Sequence, residues 1–132
     1  MTILVDASAL VAMATKEPEA RALAARLDEH ADRLYCAIGE WEATVAISRK
    51  RTVSFDEAHG DLGVMILKLG LRPVPIGVEE ARIAIQAHDR YGKGRGHRAQ
   101  LNLGDCFAYA CAKTHEAQLL YKGDDFSHTD LA

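Results

Sequence analysis

Aromatic residues make up only 6% of this chain, and Trp occurs once. That is too little for a platform on which successive single-stranded bases stack. Cysteine is also scarce and odd in number, with three residues at Cys36, Cys106 and Cys111. No C-x-x-C pair occurs, and no His/Cys spacing matches a zinc finger. Each thiol sits among apolar residues, so all three read as reduced core residues of a cytosolic protein. No apolar run approaches the roughly 20 residues that cross a bilayer. No basic leader precedes the first apolar run, because Thr2-Ile3-Leu4-Val5 meets Asp6 at once. The expectation is a soluble, cytoplasmic protein with no membrane partner. Basic charge is not in excess: the formal net charge of −3 argues against a strongly basic nucleic-acid module. Pro (3) and Gly (10) are too few for a collagen-like or low-complexity chain.

What is present suffices for one core. The chain has 132 residues, 48% hydrophobic and 27% charged, close to the globular average. No repeat or linker divides it, so residues 1–132 read as a single domain. Thr2 to Val5 is a β-branched apolar run, read as a strand buried on both faces. Ser8 is placed to cap a short helix over Ala9–Ala14. Ala20, Leu23, Ala24 and Leu27 recur at helical spacing behind Pro18. Arg33 to Ala37 reads as a second strand. Glu40 to Lys50 reads as a helix with Trp41, Val45 and Ser48 on one stripe. Ser54-Phe55-Asp56-Glu57 has the form of a capping box, and the helix behind it stops at Gly70. Arg72 to Ile76 is a short strand whose prolines suit an edge. Val78 to Tyr91 and Gly104 to Thr114 are helices, and Gln118 to Tyr121 is a last strand. Strands and helices alternate, which predicts an α/β fold with a mostly parallel twisted sheet flanked by helices. Ligands of such sheets bind beyond the carboxyl ends of the strands.

Most of the nineteen acidic residues read as solvated helix faces. Four do not. Asp6 follows Ile3-Leu4-Val5, and Glu42 lies between Trp41 and Ala43. Asp105 opens a helix in Leu103-Gly104-Asp105-Cys106, and Asp124 follows the last strand. Singly, each has an ordinary explanation: a helix cap for Asp6 and Asp105, a surface position for Glu42, an Asx turn for Asp124. Three of the four follow a strand or open a helix on the same expected side of the sheet, and Glu42 lies early in the helix after the second strand. Carboxylates brought together repel and raise each other's pKa, and a divalent cation relieves them. An all-oxygen donor set favours Mg2+ or Mn2+ over zinc. Such a site suits phosphoryl chemistry. Shortly before Asp105 runs the densest basic segment, Tyr91-Gly92-Lys93-Gly94-Arg95-Gly96-His97-Arg98. Lys93, Arg95 and Arg98 are candidates for holding a polyanion, against the alternative of a solvated loop.

Four segments carry a resemblance. Leu4-Val5-Asp6-Ala7-Ser8-Ala9-Leu10, Glu42-Ala43, Leu101-Asn102-Leu103-Gly104-Asp105-Cys106 and Lys122-Gly123-Asp124-Asp125-Phe126 resemble, in order and spacing, the motifs of PIN-domain ribonucleases, and in particular VapC-type toxins. The resemblance runs over essentially the whole chain. It implies Asp6, Glu42, Asp105 and Asp124 as metal-binding catalytic acids, with Ser8 supporting Asp6. Ala7 stands where the family often has Thr, and Ser8 keeps the polar helper. The second motif offers Glu40 as well as Glu42; the two cannot face the same way on a helix, and Glu42 is preferred. The last motif offers Asp124 and Asp125, and Asp124 is preferred. The implied activity is a Mg2+- or Mn2+-dependent endoribonuclease, the toxin of a toxin–antitoxin pair. The implied partners are RNA, a VapB-type antitoxin and a second copy of the chain. Two other classes compete: a non-catalytic binding module using the acid pocket, and a receiver-like phosphoacceptor domain. The latter lacks an acid after Val74-Pro75-Ile76-Gly77.

Overall fold

In the computed structural model, which describes residues 1–132, the apolar run Thr2–Val5 is a strand, β1. It pairs in parallel with β2 (Asp32–Cys36) on one side and with β4 (Gln118–Leu120) on the other. The outer edge of β2 carries β3 (Arg72–Val74), again in parallel. The sheet order is β3-β2-β1-β4. Pro73 lies in the edge strand, where its missing N–H breaks no inner ladder.

Six helices make the connections: α1 (Ala7–Ala14), α2 (Ala20–Asp28), α3 (Ala37–Arg51), α4 (Phe55–Lys68), α5 (Val78–Tyr91) and α6 (Leu103–Thr114). Side-chain alternation along the strands sorts them onto two faces. Leu4, Leu34, Cys36 and Leu119 enter one buried cluster with α5 and α6. Ile3, Val5, Tyr35 and Leu120 enter the other with residues of α1 to α4. All three cysteines are free and buried. No helix is long and apolar enough to cross a membrane.

One local expectation is corrected, and the buried face of one helix is settled. Helix α1 begins at Ala7, and its cap is Asp6 rather than Ser8. The extended backbone at Asp6 lets its carboxylate accept the Ser8 N–H at 3.0 Å, one of the donors that a helix start leaves unpaired. In α3, the buried stripe is Gly39, Ala43 and Ile47, while Trp41 is 67% exposed. Small residues at i and i+4 let the helix backbone lie close to its neighbours, and a Trp has no room there. The aromatic ring therefore turns outward, beside Phe55 and His59 on α4.

Because every strand is parallel, their carboxyl ends share one edge. The chain leaves β1 towards β2, whereas β4 docks on the opposite side of β1. The carboxyl end of β1 is thus the point where strand order reverses, and a crevice opens there.

The face assignment of α3 is testable by urea unfolding. Ile47→Ala should cost about 2–5 kcal/mol, as for a buried aliphatic truncated to Ala. Trp41→Ala should stay within about 0.5 kcal/mol, as for an exposed site. Equal losses would reverse the assignment.

Candidate active site

Three strand ends supply the crevice. Asp6 directly follows β1 and is 5% exposed. Glu42 lies in the second turn of α3, the helix that continues from β2, and is half-buried. Asp105, 7% exposed, lies in the first turn of α6. The turn after β4 brings Lys122 and Asp125. Together Asp6, Ser8, Glu17, Glu42, Asn102, Asp105, Lys122 and Asp125 line a cavity of about 360 Å3.

Each acid has a local reason for its place. Asp6 Oδ2 accepts from the Ser8 N–H at 3.0 Å and the Ser8 hydroxyl at 2.6 Å. The Ser8 Oγ in turn accepts the Lys122 N–H at 3.0 Å, so the β4 turn is fastened to Asp6 through one hydroxyl. The Asp6 N–H donates to Leu120 O at 2.9 Å. Asp105 closes a capping box: its Oδ2 accepts the Asn102 N–H at 3.1 Å, while Asn102 Oδ1 accepts the Asp105 N–H at 2.8 Å. One Asp105 oxygen is therefore engaged in holding the helix start. Gly104 leaves room for the Glu42 carboxylate, which a Cβ there would overlap.

The preferred fourth acid is corrected. Asp125, not Asp124, lines the cavity. Gly123 takes φ +96°, and Phe126, 1% exposed, is buried just beyond. The turn at Gly123 and the anchor at Phe126 set which neighbouring carboxylate faces the acids. Asp124 instead lends its carbonyl to the Ser127 N–H and hydroxyl. Glu40 lies outside the cavity, with its Oε2 2.7 Å from His59 Nε2. The basic loop divides as well. Lys93 lines a neighbouring apolar cavity of about 410 Å3 that shares Asn102 with the acid cavity. Arg95 is paired with Asp89 at 2.8 Å, and Arg98 is exposed.

The electrostatics are one-sided. None of Asp6, Glu42, Asp105 or Asp125 takes part in any ion pair of the protein. Burial raises the Asp6 carboxyl, against the lowering by its Ser8 hydrogen bonds, and Asp125 raises it further. Burial and then Asp6 raise Glu42. Burial pushes Asp105 up to about 7, with Asp6, Asp125 and Glu42 adding to the shift and the Asn102 N–H opposing it. Glu17 is the contrast, drawn down to about 2 by Lys122 and Lys50.

The donor set fits a hard divalent cation: the cavity offers carboxylates, a hydroxyl and an amide, with no Cys or His. No three His, Cys, Asp or Glu side chains are gathered closely enough to hold a metal ion as they stand. The fit therefore rests on donor chemistry and unbalanced charge, not on a finished coordination sphere. Sequence reasoning missed Lys122 and Glu17, whose pairing joins segments far apart in the chain; the basic residue inside Lys122-Gly123-Asp124-Asp125-Phe126 was the available signal.

A PIN domain family model matches residues 3–131. The ribonuclease VapC30 of Mycobacterium tuberculosis is 38% identical over 131 residues, covering 98% of this chain and 96% of that protein. A VapC ribonuclease of Rhizobium meliloti is 40% identical over 139 residues, covering 96% and 97%. Among solved structures, VapBC2 from Rickettsia felis, bound to a DNA fragment from its promoter, superposes with a TM-score of 0.75 at 12% identity, covering 99% of this chain and 95% of that one. The chain belongs to the PIN domain family, and within it to the VapC ribonucleases.

The charge imbalance has a pH signature in metal-free protein. Folded Asp105 keeps its proton up to about pH 7, against an ordinary value of 3.8. Folding is therefore penalised as pH rises between those values, fully above the upper one and not at all below the lower. Asp105→Asn removes the titration and keeps an oxygen for the Asn102 N–H. Its melting temperature should exceed the wild type by about 5 °C at pH 8. The gain should vanish in acid below 3.8. Differential scanning calorimetry with EDTA checks this; a pH-independent difference would contradict it.

Proposed function

We propose that this chain is a metal-dependent endoribonuclease, the toxin of a toxin–antitoxin pair, acting in the cytoplasm on RNA phosphodiesters. The observation that carries the reading is the unpaired acid cavity at the carboxyl end of β1. It is joined to membership of a family whose relatives are named ribonucleases. The non-catalytic reading is not favoured, because Asp6, Glu42, Asp105 and Asp125 all line one cavity.

Asp6, Glu42, Asp105 and Asp125 would hold Mg2+ or Mn2+, which when bound supplies Lewis acidity at the phosphate. The chain's own groups do the rest. Asp6 is oriented by the Ser8 hydroxyl. Asp105 is oriented by the Asn102 N–H, which leaves its second oxygen for the cavity. Glu42, whose pKa is raised, is suited to accept at its carboxylate the proton that an attacking water loses. Lys93, Arg95 and Arg98 would hold RNA phosphates beyond the cleavage point.

A VapB-type antitoxin is the proposed inhibitor, and a second copy of the chain the proposed assembly partner. A guanidinium of the antitoxin is the natural competitor for the acid cavity, since it is planar, permanently charged and binds carboxylates in pairs.

Cleavage of a short RNA with Mn2+ tests the activity. Asp6→Asn or Asp105→Asn should lower the rate at least about 100-fold while the fold persists, and Ser8→Ala about tenfold through misoriented Asp6. EDTA should abolish cleavage. Wild-type rates in either Asn variant would overturn the assignment. In the same assay, Lys93→Ala and Arg98→Ala should raise KM more than they lower kcat. Arg95→Ala should do less, because Asp89 already holds that guanidinium.

A further inference from the structure

Of the side chains lining the acid cavity, Lys122 is the one cation. Its ammonium is paired with Glu17 and lies 3.5 Å from Glu19 Oε2. Glu17 is shared with a second cation, Lys50, and also accepts the Thr15 hydroxyl at 3.1 Å. The Glu17 side chain is only 12% exposed. Lys122 itself is about a third open to solvent, with its side chain 35% exposed.

This arrangement is unusual in its restraint. A flexible ammonium beside a group of unpaired carboxylates would normally swing onto them and neutralise them. Here it pairs with none of Asp6, Glu42, Asp105 or Asp125. Glu17 is the competitor that holds it against the wall formed by the segment between α1 and α2. Glu17 carries one negative charge against the two positive charges of Lys50 and Lys122, so that trio remains net positive. The exposed Glu19 offsets it weakly, since solvent screens a long contact of that kind. The acids are left free for a cation, and a positive group is kept on the same cavity wall.

A phosphodiester entering this cavity brings its own negative charge towards four carboxylates. Lysine meets phosphate as a compact point charge with rotatable donors. We propose that Lys122 is a substrate-positioning residue that binds a phosphate oxygen of RNA at the acid cavity, held in readiness by Glu17. The inference deepens the nuclease reading and rests on it.

The side chain can be tested apart from its structural tie. The bond that fastens the β4 turn to Ser8 uses the backbone N–H of Lys122 and survives any change of its side chain. The experiment measures binding of a short fluorescent single-stranded RNA of mixed sequence to Asp105→Asn protein, which holds substrate without cutting it, across a salt series with Mn2+. Adding Lys122→Met should weaken binding about tenfold at low salt. It should also flatten the slope of log K against log salt by about 0.7, the loss of one contact to single-stranded phosphate. Lys122→Arg should restore both, because it keeps the charge. Lys50→Met should leave the slope unchanged, because Lys50 shares Glu17 but does not line the cavity. An unchanged slope in Lys122→Met, whatever its melting temperature, would make Lys122 a structural tether and overturn the proposal alone. A loss in Lys50→Met equal to that in Lys122→Met would overturn it too, as a general charge effect. No measurable RNA binding by the Asp105→Asn parent would overturn the nuclease reading with it.

Discussion

Carboxylates buried without counter-ions at the edge of a parallel sheet are the constraint around which this molecule is arranged. Asp6 is almost fully buried, and nothing cationic pairs with it. Such a group is tolerated only where fixed dipoles compensate. The fold provides them by placing Asp6 at a helix start, where the Ser8 N–H and hydroxyl both point at one oxygen. Asp105 receives the same treatment at the start of α6, where the N-terminal end of the helix dipole favours negative charge. The remaining repulsion is visible in the raised pKa values of Asp6, Glu42 and Asp105. Folding thus holds these acids in a state that a bound cation would relieve.

Topology explains why the acids meet at all. Asp6 and Asp105 are separated by most of the chain, yet the order β3-β2-β1-β4 gathers the ends of β1, β2 and β4 around one crevice. The place of one acid then depends on a missing side chain. Gly104 has no Cβ, and the Glu42 carboxylate occupies the space a Cβ would fill. Gly39 and Ala43 lie on the buried face of α3. The glycine next to Asp105 is therefore a matter of room for another residue's carboxylate.

Much of this is legible in the sequence, because it is local. Strand β1, helix α5 and the acids Asp6, Glu42 and Asp105 stand out by apolar context, and that context is what burial needs. The rest is not legible there. On α3 the stripe of Trp41, Val45 and Ser48 is not the buried one, because close helix packing selects Gly39, Ala43 and Ile47. Asp124 was preferred over Asp125 because a turn has no period; the positive φ of Gly123 and the buried Phe126 decide the matter. A hydroxyl before a helix ordinarily caps it, which points to Ser8, but here the carboxylate two residues earlier takes that place. The ion pair of Arg95 with Asp89, in the last turn of α5, has no local signal either.

The Lys122–Glu17 pair belongs to a different order of information. No local pattern announces that a lysine after the last strand will meet a glutamate after the first helix, since the contact exists only once β4 has docked beside β1. The same docking creates the acid cavity. A single long-range pairing thus produces both the concentration of negative charge and the restrained cation beside it. Were Lys122 free, it would satisfy the acids and compete with any metal. Were it absent, the cavity would present one sign of charge to an incoming phosphate. Glu17 separates these two effects by holding the ammonium on the wall, so that one site can favour a cation and accept an anion.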